Sequence, residues 1–92
     1  MARAAVISAV LENPAENQND FNQIVSDHNH MIWGRMGIPV DEGRTALISL
    51  TVVGTLDEID GLTGLLDALP NASVKAVVAG REFTADSLHR GD

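Results

Sequence analysis

The chain has 92 residues, with 13 acidic against 6 basic side chains, a formal net charge of −7 and no cysteine. That balance repels a phosphate backbone, so direct nucleic-acid binding is not expected. The missing thiols exclude disulfides, a cysteine nucleophile and thiolate metal sites.

Hydrophobic residues make up 45% and aromatics only 3%, which implies a core of Val, Ile, Leu and Ala. One domain of this size buries a thin core, and oligomerisation is a natural supplement. Arg3 is followed by a short apolar run ending at Glu12, so no signal peptide is expected. No apolar run approaches the roughly 18 residues of a membrane span, and a cytoplasmic setting is expected.

Arg3–Glu12 is rich in β-branched residues and reads as a strand buried largely on both faces. Alternation puts Ile7, Ala9 and Leu11 on one face, with Val6, Ser8 and Val10 on the other. Asn13-Pro14-Ala15-Glu16 then reads as a helix start, with Asn13 as cap and Glu16 at capping-box spacing. The helix is expected to run to about His28. Phe21, Ile24, Val25 and His28 form its buried stripe, and Asn17 falls among the solvated residues.

His30–Ile38 is the second predicted strand, and Pro39 assigns it to a sheet edge. A loop over Val40–Gly43 turns the chain into a third strand, Arg44–Val53. Ala46, Ile48, Leu50 and Val52 share one face of it, with Leu47, Ser49, Thr51 and Val53 opposite. Thr55 and Glu58 repeat the capping-box spacing before a second helix, whose buried stripe is Leu56, Ile59, Leu62, Leu66 and Leu69. Gly61 and Gly64 inside that helix suggest a close approach by a neighbouring element. Ala72–Ala79 is the fourth strand. Residues 81–92 form a polar tail that is expected to be flexible, beyond a domain of residues 1–80.

The order β-α-β-β-α-β, two strand–helix–strand halves joined by a hairpin, predicts an α+β ferredoxin-like fold. Its antiparallel four-stranded sheet would carry both helices on one face. The other face would then present Val6, Val10, Leu47, Thr51 and Val53, too apolar to stay wet, so assembly into a dimer or tetramer is expected.

Several residues are candidates for chemistry. Asn13 sits in the first strand–helix loop, where free helix amides attract carboxylates, although a plain capping role is the commoner one for asparagine there. Arg35, between Gly34 and Gly37, is a ligand or interface candidate or an edge-strand guard, and Trp33 alternates with it as an interface anchor. His28 and His30 are the only metal candidates in this stretch, and with too few further ligands no metal is assigned. No convergence of serine, histidine and acid, and no phosphate loop, points to an enzyme, and no cofactor is implied.

Val6-Ile7-Ser8-Ala9-Val10, Glu12-Asn13 and Gly34-Arg35-Met36-Gly37-Ile38-Pro39 in the first half carry a family resemblance. In the second half, Ile48-Ser49-Leu50, Gly54-Thr55, Leu62-Thr63-Gly64, Leu69-Pro70 and Ser73-Val74-Lys75 continue it. Together they resemble the ACT-like domains, and most closely the small proteins assigned as regulators of the iron-only hydrogenase system. The fold of those proteins is similar to the effector domain of nickel-responsive repressors. The resemblance implies a non-enzymatic regulatory domain that self-associates and acts through a regulatory partner protein or a bound small-molecule effector. The alternative is an amino-acid or metal-sensing module of an unrelated pathway. The chain departs from the family pattern where a lysine and a glycine usually follow Gly64: here stand Leu65, which offers an apolar interface contact, and Asp67.

Overall fold

A computed structural model describes residues 2–84. Its elements are β1 (Arg3–Glu12), α1 (Pro14–Asp27), β2 (Ile32–Val40), β3 (Thr45–Gly54), α2 (Leu56–Asp67) and β4 (Ala72–Val78). The strands form one antiparallel sheet in the order β2-β3-β1-β4, with β3 and β1 at its centre. This is the ferredoxin-like, ACT-like arrangement that the element order predicts.

Alternation decides the two faces. Ile7, Ala9, Leu11, Ile48, Leu50, Val52 and Val74 point to the helical side and are buried there with Phe21, Val25, Ile59, Leu62 and Leu66. Val6 and Val10, one residue away on β1, are exposed. The expectation that β1 is buried on both faces is therefore corrected among the described residues: α1 and α2 cover one side only.

The two helix starts differ from each other. Thr55 forms a complete capping box, accepting from the Glu58 backbone N–H at 3.1 Å while the Glu58 carboxylate accepts from Thr55 N–H at 2.9 Å. Asn13 makes no side-chain cap, because its backbone is left-handed with φ 53°, a region asparagine tolerates. Its N–H donates instead to Arg44 O at 2.8 Å, and Glu16 accepts from Asn71 Nδ2 at 3.1 Å. The predicted Asn13 cap is thus a corner that ties α1 to the hairpin and to the loop before β4.

Asn17 also departs from expectation, being 1% exposed. It lies four residues before Phe21 and eight before Val25, so the buried stripe extends one turn further back. Its amide donates to Glu12 O at 3.2 Å and Pro70 O at 2.8 Å, and its Oδ1 has no partner among the described residues. Leu56 is the converse, an expected core residue that is exposed at the start of α2.

A 3-10 turn over Asn29–Met31 delays the second strand, which then runs through Pro39 to Val40. Pro39 pairs with Ala46 on the sheet edge, where its missing donor is harmless. Gly54 is closely packed: a methyl group there would come to 3.2 Å from Glu58 Oε1 and Met31 Cε, so those side-chain ends would have to shift by a few tenths of an ångström. Gly61 and Gly64 are not, because a methyl group at either would meet nothing within 4 Å. The close approach expected at those two glycines is absent within the described residues.

Phe83 exchanges backbone bonds with Ala2, at 2.7 and 3.2 Å, and the Arg81 guanidinium lies 4.5 Å over the Phe83 ring. Residues 81–84, expected to begin a loose tail, are pinned to the start of β1. The rest of that expectation concerns residues 85–92, which lie outside the described residues.

Candidate functional site

Two surfaces collect the candidate residues. The larger is the open face of the sheet, and strand register orders it into rows. One row is Gly34, Thr51, Val6 and Val77; the next is Met36, Ser49, Ser8 and Lys75. The third is Ile38, Leu47, Val10 and Ser73, and the last is Val40, Thr45 and Glu12.

Nine large hydrophobic residues are exposed among those described, and all but Leu56 and Leu65 belong to these rows. Val77 and Met36 are the most exposed, at 73% and 62%. With strands about 4.8 Å apart and rising about 3.3 Å per residue, the face spans on the order of 500 Å². That area is not uniformly apolar: Val6 with Val77, and Ile38, Leu47 and Val10, flank the hydroxyl-bearing Ser49–Ser8 row, and exposed apolar clusters of this kind mark contact sites. A shallow cleft of about 300 Å³ lies at one corner, between Ala4, Val6, Thr51, Val77 and Ala79.

The second surface is a cleft of about 550 Å³ where the end of α1 meets α2. His28, His30, Met31, Glu58, Gly61, Leu62 and Leu65 line it. His28 Nδ1 is 2.8 Å from Ile24 O, and a carbonyl can only accept, so that nitrogen carries the proton. His30 Nε2 lies 3.3 Å from Glu58 Oε2. The Thr55 backbone N–H, then His30 and the Thr55 hydroxyl, hold the Glu58 carboxyl below the ordinary glutamate value. The cleft is an apolar floor with a polar rim, a form that suits a small ligand with one charged end. No group of three or more His, Asp or Glu side chains suited to a metal occurs among the described residues.

Expected site residues separate accordingly. Val6, Val10, Leu47 and Thr51 lie together on the open face, and Leu65 lines the helical cleft with His28 and His30. Arg35 is on the opposite side of the sheet from the open face: it pairs with Leu50, its Nη2 donates to Asn22 Oδ1 at 2.6 Å, and it stands 5.7 Å over the Phe21 ring. It straps β2 onto α1. Gly37 is opposite Ile48 on that same side.

Trp33, expected to alternate with Arg35, falls where the register shifts between Ile32 and Gly34, so strict alternation does not carry across it. Neither cleft is lined by Asn13, Arg35 or Gly37. Met36, Ile38 and Val77 are open-face residues not singled out from sequence; counting register from Pro39 back along β2 would have found the first two.

Comparison with known proteins agrees with the fold. Residues 3–76 match the TM1266-like family, described as "Iron-only hydrogenase system regulator, putative". The chain is also similar to the uncharacterized protein TM1266 from Thermotoga maritima, at 27% identity and a TM-score of 0.80. That likeness covers 85% of this chain and 98% of the other. No curated protein matches. The chain belongs to the TM1266-like family.

Proposed function

We propose that this family member is a non-enzymatic, self-associating regulatory domain of the iron-only hydrogenase system, working in the cytoplasm through a partner protein or a bound effector. The observation that carries the reading is the open face. Seven of the nine large hydrophobic side chains exposed among the described residues gather there, on the side of the sheet that neither α1 nor α2 covers. A chain of −7 net charge is otherwise well suited to remain dispersed, so so much apolar surface in one place favours a contact. No helix among the described residues is long and apolar enough to cross a membrane.

The test is sedimentation velocity on the wild type and on Leu47→Asp. The wild type is expected to associate at micromolar concentration, and the variant to sediment as a folded monomer. Identical behaviour of the two would remove the open face from the account.

The helical cleft favours a second reading, a small-molecule or metal-sensing module. Two histidines and Glu58 line the rim of its apolar floor. Thermal shifts with amino acids and with Ni, Co, Fe and Zn salts test it. A genuine metal shift is lost in the His28→Ala/His30→Ala variant, and absence of any shift with every probe rejects the reading.

A further inference from the structure

We propose that the open face docks on the same face of a second copy about a two-fold axis running along the Ile38–Leu47–Val10 row. Lys75 of each copy then meets Glu12 of the other. This rests on the self-association proposed above and names its register.

Among the described residues, Glu12 and Lys75 are the only charged side chains in the rows of this face. Lys75 is the only lysine in the sequence. Every described arginine has a partner within the chain: Arg3 donates to Ala79 O, Arg35 to Asn22, Arg44 pairs with Asp41, and Arg81 covers Phe83. Neither the Lys75 nor the Glu12 side chain takes part in the hydrogen bonds or ion pairs of the described residues. One cation and one carboxylate, neither with a partner among the described residues, therefore share an otherwise apolar and hydroxyl-bearing surface.

Their spacing selects an overlay. Lys75 lies in the row on one side of Ile38–Leu47–Val10, and Glu12 in the row on the other side. A two-fold axis along the central row exchanges those flanking rows, so the lysine row of one copy falls over the glutamate row of the next. Lys75 is on β4 and Glu12 on β1, which are neighbours in the sheet. The sideways offset is one strand spacing of about 4.8 Å, within reach of the lysine's four-carbon stem. Two equivalent ion pairs form, and Ile38, Leu47 and Val10 close on their symmetry mates between them, as a self-complementary interface requires.

Other overlays treat the lysine worse. An axis along the Ser49–Ser8 row brings the two Lys75 ammonium groups together. An axis parallel to the strands, between β3 and β1, sets Lys75 against Met36 of the partner copy. Covering an ammonium without a counter-charge is costly, and each copy brings a net charge of −7 that already resists association.

Sedimentation of the full chain as wild type, Lys75→Glu, Glu12→Lys and the double exchange tests the register, with circular dichroism to establish that each variant is folded. Both sites are exposed strand positions. Each single reversal is expected to weaken association by about tenfold or more, because it sets like charges opposite each other. The double exchange is expected to restore the wild-type Kd to within about threefold, the signature of a direct pair. Single reversals without effect, or a double exchange no better than the worse single variant, would overturn the pairing. A wild type that stays monomeric refutes the self-association itself, whereas a wild-type dimer with uncoupled charges refutes only this register.

Discussion

The two faces of one sheet are made from the same strands, residue by residue in alternation, yet they have different standing. On the helical side Ile7, Leu50 and Val52 are fully buried, and every neighbour they need is in the chain. On the other side Val6, Leu47 and Val77 are of similar chemistry and remain exposed. The first face stabilises the fold; the second contributes little to it until something covers it. Apolar character alone does not separate the two roles. What separates them is which side receives the helices, and that is settled by the stripes Phe21–Val25 and Ile59–Leu62–Leu66.

The contrast can be broken most strongly at the core. Leu50→Ala is expected to cost about 2–5 kcal/mol of stability, as a cavity in a buried layer does, measured by urea denaturation. Asn17→Leu comes next. Losing the amide strands the carbonyls of Glu12 and Pro70, with an expected cost of about 1–3 kcal/mol, read in the same way. Thr55→Ala removes the capping box of α2 and is expected to cost about 1 kcal/mol.

Open-face changes sharpen the comparison by their smallness. Val77→Thr is expected to move monomer stability by no more than about 0.5 kcal/mol. A loss as large as that of Leu50→Ala would mean that this face is part of the core.

Glu58 makes stability depend on pH. Its carboxyl titrates below the ordinary glutamate value because of the Thr55 N–H and His30, so the folded state favours the ionised form. The stabilisation is fully present above the unfolded-state pKa and is lost as pH falls through the lowered folded value. Glu58→Gln is therefore expected to flatten the acid limb of a stability-versus-pH curve and to leave the curve near neutrality parallel to the wild type's.

Much of this architecture was legible in the residues. Period-two alternation located all four strands, Pro39 marked the edge, and Thr55 with Glu58 marked the second helix start. The first helix start misled because Asn13 suits a cap and a left-handed corner equally, and only the Arg44 carbonyl decides between them. Asn17 was hidden by its polarity, although its spacing from Phe21 and Val25 was the available signal. Arg35 looked like an interface anchor because sequence cannot show that Asn22 and Phe21 lie beneath it. The register shift at Trp33 was not legible, because strict alternation assumes an unbroken strand.

Open-face candidates followed from alternation on β1 and β3, but Met36, Ile38 and Val77 needed the pairing register of the two edge strands. The helical cleft needed tertiary structure altogether. It joins His28 and His30 to Glu58 and Leu65, residues about thirty positions further along the chain.

Methionine oxidation combined with hydroxyl-radical footprinting across a concentration series tests the difference between the faces most directly. Met36 and Val77 are expected to become protected as concentration rises, while Leu56 and Leu65 on α2 keep their reactivity. Unchanged reactivity of Met36 and Val77 at every concentration, or protection confined to α2, would contradict the assignment of the open face as the surface where copies meet.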